Sequence, residues 1–142
     1  MTTTGRVAAG LFACLAIACT TVSPAKINVG DQCFRCTRNI NDTRLAGEQI
    51  GAFVEKFRAP GCMAKYLVKN PDDRGPMFVT DYTTGKMVSP AQAFFVPIVM
   101  DSSTGERDYR AYASQSDATA AAAEVRTEVV DWNTVLDRAR ES

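Results

Sequence analysis

The chain has no histidine. A Ser-His-Asp set, a Cys-His nucleophile pair, a histidine-liganded zinc hydrolase site and a histidine-ligated copper(II) centre are therefore all excluded, because each needs an imidazole nitrogen. Charge of one sign is missing too: 16 Lys and Arg face 16 Asp and Glu. No basic field is left over to hold nucleic acid, and no polybasic patch to hold anionic lipid. Long apolar runs are absent as well. The longest, Val7 to Ala18, is far short of the roughly 20 residues that span a bilayer. Cysteine is scarce, with five in all, of which Cys14 falls in this apolar run and Cys19 directly follows it. The remaining three, Cys33, Cys36 and Cys62, are an odd number and too few for the framework of bridges that staples small exported domains.

What is present begins with the leader. Arg6 followed by the uncharged run Val7 to Ala18 has the layout of a secretory signal, and Leu15-Ala16-Ile17-Ala18-Cys19 reads as a bacterial lipobox whose cysteine is lipid-modified after cleavage. Leu11-Phe12-Ala13-Cys14 is the competing site; it leaves only a stub of apolar core and sets a bulky Phe beside the cut. The expected organisation is a signal peptide over 1–18, a flexible polar tether over 19–32 containing Pro24 and Gly30, and one small domain over 33–142. It places the protein in the cell envelope, lipid-anchored through Cys19 and facing the periplasm.

Sulfur then carries the chemistry. Thiolates select soft ions such as Cu(I). Cys33 and Cys36 are spaced so that both sulfurs can face one ion, and Cys62 stands at the start of a helical pattern, where free N–H groups lower a thiol pKa. Met63 follows it as the best thioether candidate, although its helix face points to the core. Arg35, Arg38, Arg58 and Lys65 lie within a few residues of the sulfurs and can offset the negative charge of a thiolate-held ion.

Hydrophobic periodicity predicts an α+β domain made of two successive strand-strand-helix-strand units and a C-terminal helix. Strands are expected at Leu45–Ile50 and Ala52–Phe57, a helix from Pro60 to a stop at Asn70-Pro71, and a strand at Met77–Tyr82 closed by the turn Thr83–Lys86. The second unit reads as strands at Ala93–Met100, bulged or at an edge because of Pro97, and Arg107–Ala113. A helix over Asp117–Val125 capped by Ser114 or Ser116, a strand at Glu128–Asp131 and a final helix over Trp132–Arg140 complete it.

These features together resemble the nitrous oxide reductase accessory protein NosL and its relatives. The likeness rests on the lipoprotein leader, Cys33-Phe34-Arg35-Cys36, Gly61-Cys62-Met63 opening a helix, Val79 to Lys86, Ala91 to Val96, and Val130 to Leu136. Two departures stand out: Thr37-Arg38 replaces the usual Gly-Met after the cysteine pair, and Ser103-Thr104 stands where a methionine commonly precedes Gly105. The resemblance implies two strand-strand-helix-strand units, a non-enzymatic role with no catalytic residue, and binding of Cu(I) for delivery to an exported copper enzyme or its membrane assembly complex. The reading that results is a metallochaperone whose metal ligands are Cys33, Cys36, Cys62 and Met63, with Cu(I) as cargo. Two alternatives stand beside it: a thiol-disulfide redox protein, and a non-catalytic envelope lipoprotein with a structural Cys33–Cys36 disulfide. The family's fold also resembles part of the organomercurial lyases, which use two cysteines and an aspartate, a role for which Asp81 is the available residue.

Overall fold

The computed structural model describes residues 21–142. The signal peptide, Cys14 and Cys19 lie outside the described residues. Strands β1 (Gly47–Ile50) and β2 (Val54–Phe57), helix α1 (Pro60–Lys69), and strands β3 (Met77–Thr80) and β4 (Met87–Val88) form the first half. The second half is β5 (Phe94–Asp101), β6 (Glu106–Tyr112), α2 (Gln115–Glu124) and α3 (Trp132–Arg140). One sheet has the order β2-β1-β3-β4 and the other pairs β5 with β6, all antiparallel. No helix among the described residues is long and apolar enough to cross a membrane.

The expected repeat is visible in the pairing. In the first half β1 lies between β2 and β3; in the second, β5 lies between β6 and a single antiparallel bridge, Phe95 to Val130. The strand expected at Glu128–Asp131 is therefore reduced to one residue. Asp131 is already committed as the N-cap of α3, its carboxylate accepting from the Thr134 N–H at 2.8 Å, so the chain turns helical before a ladder can form. The same bridge explains Pro97. Phe95 donates its N–H to Val130, so two residues on, the missing N–H of Pro97 faces the same open edge rather than β6.

Each helix begins where local chemistry allows. Pro60 opens α1 with its fixed φ, and the N–H of Asn70 closes it on the carbonyls of Tyr66 and Leu67 just ahead of Pro71. Ser114, of the two serines expected, caps α2 by accepting from Asp117. The thin face of α2, Ala118 and Ala122, packs on Val96 and Tyr112. Between the sheets and helices α1 and α3 lies the main core, with Phe57, Met63, Val79, Phe95, Trp132 and Val135 at its centre.

The tether is shorter than expected. From Ala25 onward the chain is tied to the domain, because Glu48, fully buried on β1, accepts the Ala25 N–H at 2.6 Å. Gly30 donates its N–H to the Ile40 carbonyl and Ile40 donates its own to the Asp31 carbonyl, while Lys56 holds the Asp31 carboxylate at 2.7 Å. A segment that looked like linker thus satisfies a buried carboxylate through its backbone and adds an ion pair at the surface.

Candidate metal centre

The segment from Cys33 to Arg38 is a closed turn. Cys33 donates its N–H to the Arg38 carbonyl at 2.9 Å, Thr37 donates to the Cys33 carbonyl at 2.8 Å, and Phe34 donates to Lys56 of β2 at 2.7 Å. Thr37 reaches this geometry only by adopting φ +59°, the left-handed region. Phe34 anchors the loop edge-on against Tyr66 of α1, ring centroids 5.3 Å apart. Glu106 at the start of β6 fixes both sides of the site, one oxygen meeting Arg38 and Arg58 at 2.6 Å each.

Helix α1 supplies the third sulfur. Its N-cap residue, Ala59, has no side chain able to cap, and the carboxylate of Asp108 from β6 takes that role by accepting the Gly61 N–H at 2.7 Å. Only glycine fits there, since a Cβ on Gly61 would lie 2.8 Å from the same carboxylate. Burial pushes Asp108 up to about 6, against the pull of the Gly61 and Tyr109 N–H groups and of Arg58 and Lys65.

These elements bring Cys33, Cys36 and Cys62 together, their three Sγ atoms all within 4.8 Å of one another. All three are free thiols, so the structural Cys33–Cys36 disulfide considered as an alternative is not present. The nearest pair is Cys33 with Cys62, sulfur to sulfur 3.3 Å across 29 residues of sequence. Cys33 is 1% and Cys62 6% exposed, while Cys36 is half-buried. Access is by two openings, one beside Cys36 and Phe34 and one in which Cys62 forms part of the wall.

The pair shares one proton. The hydrogen bond from Cys62, joined by the N–H groups of Cys36 and Arg58, outweighs burial and brings Cys33 down to about 4. Cys62, which donates to that thiolate and is itself buried, is held well above the ordinary thiol range, although Arg35 at 3.8 Å pulls the other way. The lowering of the Cys62 thiol expected from the helix start is therefore not found. The N–H of Gly61 is already answered by Asp108, and the sulfur of Cys62 lies against negative charge instead.

Three sulfurs around one ion at a bond length of about 2.3 Å stand about 4.0 Å apart in a trigonal arrangement, so the observed spread fits such a site with sub-ångström adjustment. No carboxylate joins the group among the described residues. Met63 is placed differently. It is fully buried, with its methyl 3.6 Å from where a Cβ of Gly47 in β1 would stand. That is a packing position, and it gives the ligand role expected for Met63 no support. Asp81 is also accounted for structurally, accepting from Thr83, Thr84 and Ala113. Sequence reasoning missed Glu106 and Asp108, which hold the two halves of the site; their charges in a strand next to Gly105 carried no signal of it.

Fold and site thus define a small α+β protein of paired strand-strand-helix-strand units with a three-thiol cluster between a loop and a helix start. This fold is similar to that of the crystal structure of the copper chaperone NosL from Shewanella denitrificans. The similarity covers 78% of this chain and 93% of that one, with a TM-score of 0.63 and 16% sequence identity. No family model matches the sequence. Comparison with curated proteins gives no match.

Proposed function

We propose that this chain binds one Cu(I) ion through Cys33, Cys36 and Cys62 and passes it to an exported copper enzyme or to the membrane complex that assembles one. The observation that carries the reading is the convergence of three free sulfurs that no carboxylate and no further cysteine joins among the described residues. Zinc in a structural site asks for four ligands in a tetrahedron, whereas two or three soft thiolates suit Cu(I). An incomplete shell also favours release, since an incoming thiolate can bond to the ion before the old bonds break. The fold shared with a copper chaperone supports the same reading.

The protein acts as a carrier rather than an enzyme. Asp81, the carboxylate that a carbon–metal cleavage would need, is engaged by hydrogen bonds to its own turn and to Ala113. Lipid attachment at Cys19 and exposure to the periplasm rest on the leader sequence. Such an anchor would keep the carrier at the surface where its recipient is assembled.

Titration of reduced protein against a chromogenic Cu(I) chelator tests the reading. One Cu(I) is expected to bind far more tightly than Zn(II), and Cys62→Ser or Cys33→Ser is expected to weaken it by about tenfold or more through loss of a thiolate. Unchanged affinity in both variants would remove the cluster from the site. A redox role is the second reading, favoured by the depressed Cys33 thiol 3.3 Å from Cys62. It predicts fast exchange with a small disulfide that Cys33→Ser abolishes.

A further inference from the structure

The opening at Cys62 leads to a cavity of about 410 Å³ whose wall carries five cationic side chains and two carboxylates. The carboxylates are already spoken for. Glu106 is shared by Arg38 and Arg58, and Asp108 accepts from the Gly61 and Tyr109 N–H groups. Arg35, Lys65 and Arg107 form no ion pair among the described residues. Arg35 reaches a sulfur, at 3.8 Å from Cys62. In a chain of zero formal charge, this gathering of cations exceeds what one thiolate pair requires. The surplus faces a concave space with a sulfur in its wall, so it calls for an anion that enters and touches that sulfur.

Resting on the copper reading above, we propose that this cavity binds the anionic Cu(I) complex of a small carboxylate-bearing thiol. The complex seats its carboxylates on Lys65 and Arg107 and presents its metal to Cys62. Transfer is ligand exchange without electron transfer. Two copper–sulfur bonds to the small thiol break as three to the sulfurs of Cys33, Cys36 and Cys62 form, and the two external thiolates leave with the protons that the protein thiols release. Copper remains Cu(I) throughout. The cationic wall acts on capture, through attraction of the incoming complex, and not on the final copper–sulfur bonds.

Stopped-flow uptake by the reduced full-length chain tests this, with Cu(I) presented as its complex with glutathione, which is anionic, or with cysteamine, whose ammonium group reverses the charge. Uptake from glutathione is expected to be about tenfold faster at low salt, with the advantage shrinking to about twofold near 0.5 M salt. The double variant Lys65→Gln with Arg107→Gln, which touches neither the core nor the sulfurs, is expected to lose that advantage. Its equilibrium Cu(I) affinity, measured by chelator competition, is expected to change by less than its uptake rate, because at the bound ion Lys65 and Arg107 supply only screened charge and no ligand. Equal rates from the two donors in the parent, or an advantage that persists in the double variant, would overturn the inference and leave the copper reading standing. Uptake from neither donor overturns the copper reading and this inference with it.

Discussion

At the scale of single residues, Thr37 shows how a departure from a family pattern becomes physical. A β-branched side chain at φ +59° crowds its own backbone, a position that glycine occupies freely. The glycine usual in NosL-like sequences at this place is thus explained by the turn, in which the Thr37 N–H closes onto the Cys33 carbonyl. Thr37→Gly is expected to stabilise the protein by about 1 kcal/mol, relief of the left-handed strain exceeding the extra entropy of a free glycine. Denaturant unfolding of the reduced protein measures it; a destabilised variant would mean that the Thr37 hydroxyl bond to the Cys36 carbonyl, 2.7 Å long, outweighs the strain. Cysteine acidity belongs at this scale too. A helix start next to Cys62 was legible in the sequence, but the partner that decides its proton, Cys33, is 29 residues away. Local pattern cannot rank two thiols whose order is set by contact.

At the scale of elements, Asp81 ends β3 and ties it to the second half of the molecule. Burial raises its carboxyl, but donors outweigh it: the Thr84 hydroxyl, the Ala113 N–H beyond β6, and the N–H groups of Thr83 and Thr84 hold it below the usual carboxylate range. The native pKa lies below the unfolded one, so the stabilisation is complete above the unfolded value near 4 and disappears as pH falls through the lower native value. Asp81→Ala is expected to cost about 3 kcal/mol at neutral pH, by orphaning buried donors, and to flatten that acid limb. Equal acid sensitivity in parent and variant, followed by denaturant midpoints from pH 6 to 2, would refute the assignment. Elements with strong period and flanking signals were the readable part. Apart from β4, which was not expected, and the strand at Glu128–Asp131, the order of strands and helices, the Pro60 start, the Asn70 stop and the span of α3 all follow from residues within one or two turns. Two segments misled for different reasons: Ala25 to Gln32 is bound through the distant buried Glu48, and Glu128 to Asp131 is cut short by the local cap of α3. The burial of Glu48 and Gln49 on adjacent positions of β1 was equally hidden, since alternation assumes that one face is wet.

At the scale of the whole molecule, the thiol cluster is a clasp between a loop and a helix that only the folded chain brings together. Three of the four ligands named from sequence, Cys33, Cys36 and Cys62, come together, and they could be named because a chain without histidine has few other soft donors; Met63, the fourth, packs in the core instead. The supports of the cluster could not be named, because Glu106 and Asp108 come from the second repeat and act across the domain. On the copper reading proposed above, this topology makes the ion a folding ligand. An unfolded chain keeps the Cys33 and Cys36 pair close, but holds Cys62 near them only rarely, so the folded state has the larger affinity. At free Cu(I) near 100 times the dissociation constant the stabilisation approaches about 2.7 kcal/mol, reduced by whatever affinity the unfolded pair retains. A clear rise in melting temperature on adding one equivalent of Cu(I) to the reduced protein is therefore expected, with most of the rise lost in Cys62→Ser. Because that variant leaves the cysteine pair intact, it separates the two sources of binding: a rise that survived in full would place the metal on Cys33 and Cys36 alone, with the helix as a bystander.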